Sequence, residues 1–115
     1  MRKIAFLLAV ILVISAPLTV SAATYALTIR PQLSFSGTTA NCGVTVVGNT
    51  MSEHIEVEMK LMRGSICVDS WYADSYGYVV MKETATVTKG QTYEVVVTVT
   101  VNDVEYTPVT QAGTC

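Results

Sequence analysis

Lys89-Gly90-Gln91-Thr92-Tyr93-Glu94-Val95-Val96-Val97-Thr98-Val99-Thr100-Val101-Asn102 is the longest uninterrupted β signal in the chain, and its reading decides the fold. Tyr93, Val95, Val97, Val99 and Val101 recur at period two and share one face, while Glu94, Thr98 and Thr100 fall on the other with Val96. This pattern predicts a central strand. Lys89-Gly90 supplies the turn before it and Asn102-Asp103 the turn after it, because Gly, Asn and Asp tolerate the positive φ of tight hairpins. The run from Glu94 to Val101 also has the β-propensity and low charge of segments that form cross-β fibres, a tendency that burial inside a sheet suppresses.

Working upstream, Tyr78 to Thr88 places Val79, Met81, Ala85 and Val87 on one side of a further strand. Before it, Ala73 to Gly77 reads as a polar loop, and Ile66 to Tyr72 as a strand of ambiguous parity with Trp71 assigned inward. Glu53 to Arg63 alternates most sharply of all, with Ile55, Val57, Met59 and Leu61 opposite His54, Glu56, Glu58 and Lys60. Thr38 to Val47 is an inner strand carrying Ala40, Cys42, Val44 and Val46 on one face. Leu27 to Phe35 is interrupted by Pro31, and Val104 to Cys115 by Pro108; proline cannot donate to a ladder, so both read as edge strands. Seven short strands with frequent turn signals and no helical periodicity predict an all-β, seven-stranded antiparallel Greek-key sandwich. A small closed barrel is the competing architecture.

The apolar excess, 50% of 115 residues, is concentrated at the N-terminus. Arg2 and Lys3 precede an apolar stretch from Ile4 to Val20, and Val20-Ser21-Ala22 fits the small-x-Ala cleavage rule, so residues 1–22 read as a signal peptide. Ser21-Ala22-Ala23 fits the same rule one residue later. The stretch is short for a membrane span and is broken by Ser15, Pro17 and Thr19. The mature chain is then a single secreted domain over 23–115, and loss of Arg2 and Lys3 moves its net charge from −2 to −4. No basic footprint for nucleic acid and no Lys/Arg cluster for anionic lipid follows the leader, so neither nucleic acid nor membrane is expected as a partner. Cys42, Cys67 and Cys115 enter an oxidising compartment, where one bridge and one odd thiol is the expected arrangement. Their spacing matches no zinc signature.

Leu33-Ser34-Phe35-Ser36-Gly37-Thr38-Thr39-Ala40-Asn41-Cys42, Ser70-Trp71, Val87-Thr88-Lys89-Gly90-Gln91-Thr92-Tyr93-Glu94-Val95 and the terminal Thr114-Cys115 together resemble a family of small secreted proteins of Gram-positive bacteria. That family is similar to immunoglobulin and fibronectin III sandwiches and is classed as of unknown function. The resemblance implies architecture and secretion, and brings no activity. It also implies a disulfide between Cys42 and Cys115 that leaves Cys67 as a free thiol; Cys42 with Cys67, other pairings and no bridge remain open. Gly90-x-x-Tyr93 is similar to the tyrosine corner of such sandwiches, whose hydroxyl bonds back to upstream backbone. The inter-sheet cysteine pair of antibody domains is absent, since Val95 stands where the second would be, and Trp71 falls one strand late.

Candidate chemistry is sparse. His54, Glu56 and Glu58 lie at steps of about 6.8 Å along one strand face, with Glu53 nearby, but alternate residues on a strand point in parallel and do not converge on a cation. A solvated acidic face explains them. No nucleophile elbow or paired-acid loop is present, so an enzyme is not expected and no cofactor is implied. Trp71, Tyr72, Tyr76 and Tyr78 gather around Ala73-Asp74-Ser75, and exposed aromatics on a rigid sandwich can stack on a glycan or anchor a protein. The competing explanation is that Trp71 and one or two tyrosines fill the core. The expected function is therefore a non-enzymatic extracellular binding module, with an assembly subunit that oligomerises through an edge strand or Cys67 as the alternative.

Overall fold

A computed structural model describes residues 27–115, which are all-β; the leader and its cleavage site lie outside them. The strands are β1 (Thr28–Ser36), β2 (Thr39–Val47), β3 (His54–Arg63), β4 (Ile66–Tyr76), β5 (Tyr78–Thr86), β6 (Thr92–Val101), β7 (Val104–Glu105) and β8 (Val109–Thr114). They form two antiparallel sheets, sheet A in the order β1-β2-β5 and sheet B in the order β4-β3-β6, with β7 and β8 both on the far side of β6.

The period-two faces pack against one another. Ala40, Cys42, Val44 and Val46 of sheet A meet Ile55, Val57, Met59, Leu61 and the Tyr93-to-Val101 face of sheet B, all buried. Trp71 and Ala73 of β4 pack half-buried against this core, which resolves the ambiguous parity of this strand with Trp71 on the inner face, as expected. Burial of this apolar surface, worth about 25 cal/mol per Å², is the main force holding the sheets together.

Eight strands form rather than seven, because the last segment is cut in two. Asn102 and Asp103 adopt φ of 47° and 66°, the two left-handed residues of a tight hairpin, and hang Val104–Glu105 on β6. Tyr106 then donates its N–H to Val99 O at 2.9 Å and packs against the core, while Pro108 has no N–H to continue the ladder. Pairing resumes only at Val109↔Val97.

The second difference is β4, which runs on through the expected loop. Ala73, Asp74, Ser75 and Tyr76 pair with Val57, Glu56, Ile55 and His54. Their small polar composition resembles a turn, yet the in-out alternation begun at Trp71 persists, and an edge strand half in water accepts polar side chains. The strand ends at Gly77, a single residue at φ 84° that carries the chain from sheet B to sheet A. Its N–H donates to Glu53 O at 2.9 Å and its carbonyl accepts from Gly48 N at 2.9 Å.

Candidate functional site

The solvent face of sheet B is where the structure brings His54, Glu56, Glu58, Tyr72 and Tyr76 together. Its residues lie in rows set by register: His54 beside Tyr76, Asp74 beside Glu56 and then Thr100 and Glu105, Tyr72 beside Glu58 and then Thr98. Each row arises because the outward positions of β3, β4 and β6 coincide across the ladder.

Two hydrogen-bonded pairs cross the β3–β4 ladder diagonally. Tyr72 Oη donates to Glu56 Oε1 at 2.9 Å, and that bond to the carboxylate holds the phenol above its ordinary range. His54 Nε2 lies 2.9 Å from Asp74 Oδ2, with its ring centroid 5.0 Å from that of Tyr76. The bond to Asp74, reinforced by the charges of Glu56 and Asp103, raises the imidazole above its ordinary value against a smaller opposing effect of burial. Lys60 Nζ reaches this acidic surface at 3.7 Å from Glu58 Oε1.

Beside the Tyr72–Glu56 pair, toward β6 and β7, lies a shallow depression of about 210 Å³ lined by Glu56, Glu58, Tyr72, Thr98, Thr100 and Glu105. A second cavity, of about 320 Å³, sits at the β6–β7 hairpin between Glu53, Val101, Val104 and Tyr106. Among the described residues no group of three or more His, Cys, Asp and Glu side chains is arranged to hold a metal ion. Glu53 does not join the acidic face; its Oε1 accepts the backbone N–H groups of Asn49 and Thr50 and closes its own turn.

The four aromatic candidates do not form one loop. Tyr72 and Tyr76 stand exposed, at 60% and 62%, on the outer face of sheet B. Trp71 faces the core, and Tyr78, past the Gly77 corner, stands on the outer face of sheet A next to Val47 and Val80. Asp74, Thr98, Thr100 and Glu105 were not among the sequence candidates. The continued alternation of 72, 74 and 76 was the signal for Asp74; the others required the strand order.

Cys42, Cys67 and Cys115 are all free in the structure, which does not show the Cys42–Cys115 bridge implied by the resemblance. Cys42 points into the core from β2, where burial and the nearby Asp69 charge push its thiol up to about 11. Cys115 is half-buried and its Sγ turns to Gly37 O at the β1–β2 turn, 3.3 Å away. Cys67 is exposed near the start of β4.

No protein-family model and no curated protein sequence matches the chain. Among the described residues no helix is long and apolar enough to cross a membrane.

Proposed function

We propose that the protein is a secreted, non-enzymatic β-sandwich module of the immunoglobulin/fibronectin III type that binds an extracellular protein or glycan through the outer face of sheet B. The leader sequence supports secretion, and the resemblance to small secreted sandwiches of Gram-positive bacteria agrees with it. The sandwich type is supported by three strands, β1-β2-β5, facing β4-β3-β6-β8, by Greek-key passage of the chain between sheets, and by the tyrosine-corner bond of Tyr93.

The observation that carries the binding reading is the pair Tyr72 and Tyr76, exposed on the outward face of a strand locked to β3, with Asp74 between them. Aromatic rings held by a rigid ladder lose little entropy on contact, and they flank carboxylates that add polar specificity. The test is a binding screen of the mature chain against cell-surface glycans and secreted proteins, beside a Tyr72→Ser/Tyr76→Ser variant. The reading requires a partner whose affinity falls at least about tenfold, a loss of roughly 1.4 kcal/mol, in a variant of unchanged melting temperature. A partner held equally by both proteins sinks it.

A second reading, an assembly subunit, rests on Cys67 being exposed on the edge strand β4. Its signature is a dimer that dissociates on reduction.

A further inference from the structure

The edges of the two sheets are unequally protected. β1 carries Pro31, β8 follows Pro108, and β5 turns the charged Glu83 toward the sheet interior beside the outward Lys82. Prolines and inward charges of this kind prevent foreign strands from adding. β4 is guarded only at its start, where the register shifts so that Val68 bulges between Cys67 and Asp69, and Asp69 stands on the inward side opposite Leu61. From Ser70 to Tyr76 the pairing with β3 is regular, with no proline, glycine or lysine. Among the described residues no strand lies beyond it. An antiparallel strand paired on one side directs alternate N–H and C=O groups outward, so this stretch presents a template for another strand.

Its side chains specify what would pair. Outward, Tyr72, Asp74 and Tyr76 adjoin Glu56 and Glu58 of the next strand; inward, Trp71 and Ala73 are apolar and half-buried. A strand added here places one alternating set of side chains against carboxylates and phenol rings and the other against Trp71 and Ala73. Basic residues suit the first set, by ion pairing and by cation–π contact with the tyrosines, and apolar residues suit the second. A second copy of this chain suits it poorly, since two β4 edges would bring Asp74, Glu56 and Glu58 of each protomer toward the same acids of the other.

We infer that the Ser70–Tyr76 edge of β4 takes up an extended segment of alternating basic and apolar residues as an added strand of sheet B. This rests on the reading of the Tyr72/Tyr76 face as the contact surface and names the chemistry of what it contacts.

The probe is a dye-labelled octapeptide of alternating lysine and valine, titrated into the mature chain by fluorescence anisotropy, with amide hydrogen exchange followed in parallel. The inference requires binding, slower exchange confined to the Ser70–Tyr76 edge and its ladder, and affinity at least about tenfold weaker, roughly 1.4 kcal/mol, when proline replaces every valine. It further requires loss of binding when glutamate replaces lysine, and weakening by Asp74→Asn, an exposed substitution that leaves the core intact. Equal binding of the lysine–proline peptide means that charge alone captures it and overturns the inference. Protection of Ser70–Tyr76 in a dimer without peptide gives the edge to a second copy and also overturns it. A chain that holds a glycan or protein through Tyr72 and Tyr76 yet ignores the lysine–valine peptide overturns strand addition while the face itself stands.

Discussion

The backbone N–H of Thr88 donates to the hydroxyl of Tyr93 at 2.8 Å, tying the β5–β6 connection to the strand that follows it. Tyr93 is buried, and its ring lies 5.9 Å from that of Phe35, so one side chain joins both sheets and the crossover between them. Replacing Tyr93 with Phe keeps the ring contacts and removes the acceptor, leaving a half-buried N–H unsatisfied. The expected cost is about 1–2 kcal/mol in urea unfolding at unchanged slope. A change within about 0.3 kcal/mol would show that water replaces the hydroxyl there.

Gly77 is the corner on which the chain passes from sheet B to sheet A, and it is constrained twice. At φ 84° an L side chain is strained, and a Cβ would stand 2.7 Å from Met51 Sδ and 3.0 Å from Met51 Cα. Gly77→Ala is expected to destabilise by about 1–3 kcal/mol. Adding Met51→Ala removes the sulfur contact but neither the backbone contact nor the φ strain. The double variant should therefore recover only part of the loss by thermal unfolding, and full recovery would assign the whole cost to the methionine.

The central strand and both its turns are legible in residues 89–103, because period-two burial and the positive φ of Asn102 and Asp103 are local properties. The same holds for the buried faces of β2 and β3. What was not legible depends on context. Ala73-Asp74-Ser75 has loop composition, and only its pairing with β3 makes it strand; Pro108 signals a weak strand but not that the flanking pieces would both hang on β6. The candidate site shows the same division. Outward positions of one strand are read from parity, whereas the approach of Asp74 to His54 and of Tyr72 to Glu56 requires the register between strands.

His54 is the chain's one histidine, so its titration is directly observable. Its bond to Asp74 raises its folded value above the ordinary 6.5. The sign follows from linkage: the contribution of the charged pair is fully present below about 6.5 and is lost as pH rises through the higher folded value. Asp74→Asn is expected to bring the NMR-measured titration midpoint of His54 down, with residual elevation from Glu56 and Asp103. A midpoint unmoved by the substitution would mean that the diagonal pair is not populated in solution.

The three thiols separate by environment, which gives a chemical readout of the fold. In the reduced protein at pH 8, Cys42 is buried between the sheets with its thiol pushed up to about 11, so its thiolate is scarce and its sulfur inaccessible. Cys67 is exposed on the edge strand, and its Sγ donates to the Asp69 carbonyl at 3.4 Å. Iodoacetamide should alkylate Cys67 first, and Cys42 only on the timescale of global unfolding, at least about a hundredfold more slowly. Peptide mapping after timed quenching measures the order. Comparable rates at Cys42 and Cys67 would mean that the sheet A side of the core opens locally, and would refute the packing of β2 against sheet B described above.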